Sequence, residues 1–330
     1  MTDQFATTDA TPLAPIPNDI TRVGLIAGWG RYPIRVANAI KASGREVVCL
    51  GVRDHADPEL AKICDVFHWS GMGRFGWATN FFRRHEVEYA TLAGKIHKIK
   101  LFDPAFIWKQ IPDWYTIRFF ADHFLTKRKD CKDDSLLTAV VRAFEVRGVH
   151  IVPGTDLVPE LLVQRQLLTK RAPNHAQWQD VFFGWKLARE MGRLDVGQSV
   201  SVKNQATLAI EAIEGTDQAI LRAGTLCRSK GFVVVKVAKP RQDMRFDVPT
   251  IGLQTLQTMA QAGAVVLAVE AKKTIFIDPE ETIDFANKHN IAIVALIEED
   301  VDAPETERAF LATLLERHAH GLAPTYRAQE

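Results

Sequence analysis

The chain lacks several features, and each absence narrows the field. No apolar run approaches the roughly 18 residues that a membrane-spanning helix needs, so no such span is expected. Cysteine is scarce and scattered. Cys49, Cys64, Cys131 and Cys227 form no C-x-x-C pair, which argues against a zinc knuckle or a disulfide framework and fits a reducing, cytoplasmic compartment. Charge of one sign is also missing. With 41 basic and 40 acidic residues the net charge is +1, without the basic stripe of a nucleic-acid binder. Residues 1–20 show no apolar segment behind a basic start and read as a disordered leader, not a secretory signal. Nor is there a Ser-His-Asp or Cys-His arrangement, and His55, His68, His85 and His97 have no metal-like spacing.

What is present is a globular composition, 47% hydrophobic and 25% charged over 330 residues, enough for two domains with separate cores. The first half alternates short apolar runs (Val23–Ala27, Glu46–Leu50, Val66–Trp69, Tyr89–Ala93) with helical spacing over 33–42, 57–63 and 74–85. That order predicts a parallel sheet covered on both faces. Residues 104–148 read as mostly helical, with Asp133–Asp134 capping a helix to Val146. The prolines and glycine of 153–159 mark a boundary.

In the second half a helix over 174–191 precedes two alternating runs around Asn204–Gln205, a hairpin signature. Then follow a helix near 218–227, strands at Phe232–Val237, Val265–Val269, Thr274–Ile277 and Ala292–Ile297, and an amphipathic helix over 303–318. The expected division is a leader at 1–20, an α/β domain at 21–152, a second α/β domain at 153–300 and a helical tail at 301–330.

Two stretches carry chemistry. In "GLIAGWGRYP" a strand ends at Gly28-Trp29-Gly30 and a helix follows. Glycines let a backbone approach a ligand, and free N–H groups at a helix start favour phosphate. Pro33 replaces the third glycine of the dinucleotide fingerprint, and a tight turn without ligand explains the same residues. Gly94–Lys95 would lie at the same sheet edge. The denser stretch is "VVVKVAKPRQDMRFDVPTIG", residues 233–252. Lys236, Lys239, Arg241 and Arg245 could neutralise phosphate oxygens. Asp243 and Asp247, four apart, could hold a divalent metal or activate water. A salt-bridged surface loop is the bland alternative. "EAIEGTD" adds Glu211, Glu214, Thr216 and Asp217, read either as a helix cap or as ligands for magnesium and phosphate.

These motifs, in this order, resemble the LpxI family of UDP-2,3-diacylglucosamine pyrophosphatases of lipid A synthesis. The resemblance runs from "GLIAGWGRYPIRVA" through "YATLAGKIHK", "KDDSLLTAVVRAFEVRG" and "LDVGQSVSVKNQATLAIEAIEGTDQAI" to "VVVKVAKPRQDMRFDVPTIG" and "AVVLAVEAKKTIFID", about residues 22–297. It implies a Rossmann-like amino-terminal domain, a distinct α/β carboxyl-terminal domain and a substrate cleft between them. It implies magnesium-assisted hydrolysis to UMP and 2,3-diacylglucosamine 1-phosphate (lipid X), with Asp243 of the Q-D-x-R-x-D motif essential.

Asp243, Asp247, Lys239 and Arg245 are the expected catalytic residues. Substrate contacts are expected at Gly28, Gly30, Gly94, Lys95, Gln198, Thr216 and Gln242, and metal contacts at Asp243, Asp217 and Glu214. Aromatics in 74–82 and 114–125 are candidates for an acyl groove, although core packing accounts for most. Transient contact with the inner-membrane surface and a homodimer are further implications. Trp29 and Lys132 depart from the small residues usual in the family. Two rival readings stay open: an NAD(P)-dependent oxidoreductase using Gly28, Gly30 and Asp54, and a non-enzymatic nucleotide-sugar-binding module.

Overall fold

A computed structural model describes residues 16–96, 112–125, 133–240, 242–245 and 248–302. The chain divides into two compact units, Met1–Pro159 with Met244–Phe246, and Glu160–Asp243 with Asp247–Glu330.

The first unit is built on five strands: β1 (Arg22–Ala27), β2 (Glu46–Val52), β3 (Val66–Ser70), β4 (Tyr89–Ala93) and β5 (His150–Val152). Every pairing is parallel, in the order β3-β2-β1-β4-β5. The β2 sequence EVVCLGV is buried at all but its first residue, as a strand covered on both faces requires. Helices Tyr32–Ala42, Leu60–Ile63 and Phe75–Arg84 make the crossovers, and Trp114–Leu125 and Asp133–Glu145 lie between β4 and β5. Phe82, Val87, Phe144 and Ile151 pack with Val48 and Leu50 in the core. The helix expected over 57–63 is confined to Leu60–Ile63, because Asp57 and Pro58 open it with turns whose amides bond locally.

The second unit contains β6 (Gln166–Leu167), β7 (Ser199–Lys203), β8 (Ala206–Ile210), β9 (Phe232–Lys236), β10 (Thr250–Ile251), β11 (Ala264–Glu270), β12 (Ile275–Phe276) and β13 (Ala292–Leu296). Its main sheet is mixed, in the order β6-β13-β11-β9-β7-β8. Strands β9, β11 and β13 run parallel, while β6, β7 and β8 join antiparallel. Successive side chains of β9 face opposite layers. Val233 and Val235 pack with Val181, Trp185 and Ala188 of helix His175–Arg193. Phe232 and Val234 pack with Ile220 and Ala223 of helix Thr216–Leu226 and with Leu256 and Met259 of helix Leu253–Ala262.

Local signals act as anticipated in two places. Asn174 caps helix His175–Arg193 through a reciprocal box with Gln177, which satisfies two orphan amides. Asn204 and Gln205 both have positive φ, 50° and 56°, the hairpin geometry expected. Asp180 accepts both turn amides at 3.0 and 2.6 Å. One expected strand needs correction: Thr274–Ile277 shortens to β12, which pairs in parallel with β10 in a separate two-stranded sheet. The helix expected over 303–318 lies outside the described residues. Among the described residues no helix is long and apolar enough to cross a membrane.

Candidate functional site

In the first unit the turn after β1 is zipped to the turn after β4. Gly28 N donates to Ala93 O at 2.7 Å, and Trp29 and Lys95 exchange backbone bonds of 2.8 and 2.9 Å. A Cβ on Gly28 would lie 2.8 Å from the Lys95 carbonyl oxygen, and one on Gly94 would lie 2.8 Å from Gly28 C and Trp29 O. Gly94 also has φ +92°, the region that favours glycine. Close backbone approach therefore accounts for Gly28 and Gly94 without a ligand. Gly30, at φ +106°, faces open space and is the glycine left free to admit one. Pro33 sits in the first turn of helix Tyr32–Ala42, where a missing amide does no harm.

Behind this turn the Tyr32 hydroxyl and Thr91 Oγ1 are buried without a hydrogen-bond partner among the described residues. Both face Gly154, whose added Cβ would meet them at 2.5 and 3.1 Å. Burial, and then the Asp156 charge, pushes the Tyr32 phenol above its ordinary range, so it remains a neutral donor.

The second unit places its polar residues at the carboxyl end of β9. Lys236, only 3% exposed, donates from Nζ to Thr216 Oγ1 at 3.2 Å and to Thr250 O at 3.1 Å. Thr216 Oγ1 in turn donates to Glu211 Oε1 at 3.0 Å. Thr216 is thus not the cap of its helix. Gly215 holds the N-cap position without a side-chain bond, and Asp217 accepts from Gln254 Nε2 at 3.0 Å. Glu214 pairs with Arg222 at 2.6 Å. Desolvation pushes the Glu214 carboxyl up, but backbone amides and Arg222 outweigh it and hold the group below its ordinary value.

Beyond β9 the chain enters the loop of the Q-D-x-R-x-D motif. Lys239 N donates to Gln242 Oε1 at 2.7 Å, and Gln242 Nε2 reaches Gln198 Oε1 at 3.4 Å. Three expected site residues are thereby brought together. Lys239 Nζ pairs with Asp195 at 2.5 Å, and within the first unit Arg245 pairs with Glu145 at 3.1 Å. Asp243 is half-buried in the loop. Asp247 lies outside the described residues.

Glu214, Asp217 and Asp243 do not converge. Among the described residues no three His, Cys, Asp or Glu side chains form a group able to hold a metal ion. Magnesium, however, is commonly held by one or two carboxylates together with substrate phosphates, and a single acid in a loop with basic neighbours fits that donor set.

The sequence reading missed a buried support beneath the loop. Glu270, at the end of β11 and 3% exposed, accepts the Ala238 amide at 2.9 Å. It also pairs with Arg189 at 3.4 Å and Lys273 at 2.8 Å. Arg189 adds a bond to Ala238 O at 3.2 Å and a pair with Glu298. Both peptide groups of Ala238, immediately before Lys239, are thus fixed. The available signal was one acid closing the apolar run AVVLAVE, just as Lys236 closes FVVVK.

Two family models match the chain. The one described as LpxI N-terminal domain matches residues 22–161, and the one described as LpxI C-terminal domain matches residues 164–294. A relative from Caulobacter vibrioides, named UDP-2,3-diacylglucosamine pyrophosphatase LpxI, is 31% identical over 284 residues. The match covers 83% of this chain and 97% of that protein.

Proposed function

The chain belongs to the LpxI family, and we propose that it hydrolyses the diphosphate of UDP-2,3-diacylglucosamine to UMP and 2,3-diacylglucosamine 1-phosphate. The observation that carries this reading is the extent of the match, 97% of a relative that bears that activity in its name.

In the proposed reaction a water oxygen bonds to the sugar-side phosphorus, and the bond from that phosphorus to the bridging oxygen breaks. UMP leaves with the electron pair. Asp243 takes the proton of the attacking water or helps to hold the metal, and Asp247 assists it. Lys239 and Arg245 bind the diphosphate, exchanging their present carboxylate partners for phosphate oxygens. Gln198, Gln242 and Thr216 contribute polar contacts, with Gly28, Gly30, Gly94 and Lys95 on the Rossmann-like domain. That description is supported by the order β3-β2-β1-β4-β5, whose reversal between β1 and β4 is where open parallel sheets bind ligands. Magnesium, when bound, would be held by Asp243 with the substrate's own oxygens, and by Glu214 or Asp217 only if they left their present partners. Its chemistry is to offset charge on the phosphoryl oxygens. A peripheral association with the membrane that contains the lipid, and a homodimer, complete the reading.

UMP release from authentic substrate, with magnesium and then with EDTA, tests it. A positioned base is worth about 10²–10⁴ in rate. Asp243→Ala should lower kcat by that factor and leave the protein folded. A folded wild-type protein that binds the substrate without turnover would instead favour the nucleotide-sugar-binding module, and saturable NAD(P)H binding would favour the oxidoreductase.

A further inference from the structure

Helix Phe75–Arg84 turns its small residues and Phe82 inward and leaves Trp77 and Phe81 half-exposed at the edge of the core, against His68. Gly76, Ala78, Thr79 and Phe82 are buried. Trp77 and Phe81, one turn apart, remain half-exposed and stack at 5.3 Å with 23° between their planes. At 3.6 residues per turn, the exposed Arg84 falls on the same stripe, and the exposed Arg74 holds the N-cap at its start. Two acids near the helix are engaged, Asp65 by Lys41 and Glu86 by Arg22, each at 2.8 Å.

The start of this helix is tied to helix Trp114–Leu125. Asp113 accepts the Trp77 amide at 2.8 Å and the Thr116 amide and hydroxyl at 2.8 Å, while Thr116 Oγ1 accepts the Phe75 amide at 3.1 Å. Trp114, 75% exposed, and Ile117, 46% exposed, lie in the helix so tied and add exposed apolar surface to it. Because helix Phe75–Arg84 follows β3 in a parallel sheet, its start lies on the same carboxyl edge as the Gly28–Gly30 turn.

Half-exposed Trp77 and Phe81, with exposed Trp114 and exposed arginines, form a specific combination. Aromatic rings sit favourably at the headgroup level of a bilayer, and basic residues there are drawn to anionic lipid phosphates. We propose that the Arg74–Trp77–Phe81–Arg84 stripe, extended by Trp114 and Ile117, docks the protein on an anionic lipid bilayer. This rests on the proposed function for its purpose, since a diacylated substrate resides in such a layer. The charge complementarity selects a lipid surface over a second copy of the chain, whose identical stripe would set arginine against arginine.

The test is co-sedimentation of the full chain with vesicles of phosphatidylcholine alone and of phosphatidylcholine mixed with phosphatidylglycerol. The protein should sediment with the mixed vesicles, weakly with the neutral ones, and less as salt is added. The double variant Arg74→Gln, Arg84→Gln, both at exposed positions, should lower the partition coefficient about twenty-five-fold, from about fivefold for each arginine. Trp77→Ser should weaken binding to both kinds of vesicle. Equal sedimentation of parent and double variant would overturn the proposal. So would light scattering that shows a dimer abolished by Trp77→Ser, which would assign the face to a second copy. UMP release from detergent-dispersed substrate, measured on the same preparation, separates the two ideas. Release without sedimentation sinks only the docking surface, and sedimentation without release sinks only the reaction.

Discussion

Replacing Glu270 by alanine strips the acceptor from the Ala238 amide, a buried bond of 2.9 Å. An unsatisfied buried amide costs about 1–3 kcal/mol. Loss of the buried carboxyl-bearing end of the side chain adds about 1 kcal/mol of packing. Arg189 loses one partner but keeps Glu298 and the Ala238 carbonyl, so its share is roughly 0.5 kcal/mol. The sum is about 3.5 kcal/mol. With a urea slope of about 2 kcal/mol/M, the midpoint should fall by roughly 1.7 M. Glu270→Gln keeps an oxygen for the Ala238 amide and should lose about 1 kcal/mol. Circular dichroism in urea measures both.

The same variants report on catalysis. Ala238 begins the loop that carries Lys239, Gln242 and Asp243, and a misplacement of about 1 Å in a site can lower rate by roughly 10²-fold. Glu270→Ala should therefore lower kcat for UMP release by up to that factor, and Glu270→Gln by much less. An alanine variant that unfolds within about 0.2 M of the parent would refute the role of Glu270 as acceptor. A glutamine variant as harmful as alanine would also refute it, since the ion pair rather than the backbone acceptor would then be what matters.

Gly94→Ala and Gly44→Ala form a matched pair, since both glycines have positive φ, +92° and +79°, but only Gly94 has atoms within 4 Å of an added Cβ. Gly44→Ala should lose about 1 kcal/mol to backbone strain. Gly94→Ala should lose about 2–4 kcal/mol because crowding against Gly28 and Trp29 is added; equal losses in urea unfolding would show that the two turns separate easily. The Asp65 carboxyl is held below its ordinary value first by the Lys41 hydrogen bond and then by the Val47 amide. A carboxylate depressed in the folded state stabilises above its unfolded pKa, and that contribution fades as pH falls through the folded value. Asp65→Asn should thus melt below the parent at neutral pH, with the gap closing in acid. A gap that widens on acidification would reverse the assigned sign.

Features governed by neighbours in sequence were legible without a structure. The hairpin at Asn204–Gln205 and the start of helix His175–Arg193 at Asn174 each depend on turn or cap bonds spanning a few residues, so composition alone announced them. The apolar runs of β1, β2, β9 and β11 were equally plain, because strands buried on both faces need continuous hydrophobic sequence. The residues of the Q-D-x-R-x-D loop stood out as charge crowded between proline and glycine.

The tertiary structure decided the partners. Lys236 and Thr216 are 20 residues apart, Glu270 and Ala238 32 apart, and Asp195 and Lys239 44 apart. The packing of helices and loops on the sheet brings them within bonding distance. The reading of Thr216 or Asp217 as a helix cap failed for the same reason: Thr216 bonds Glu211 and Lys236, and Asp217 bonds Gln254, all outside its own helix. Sequence determined which segments fold locally and which family they resemble, because backbone bonds and burial periodicity are short-ranged. Only the folded sheet fixed which buried charges meet, since a charge removed from water takes whichever partner the packing delivers.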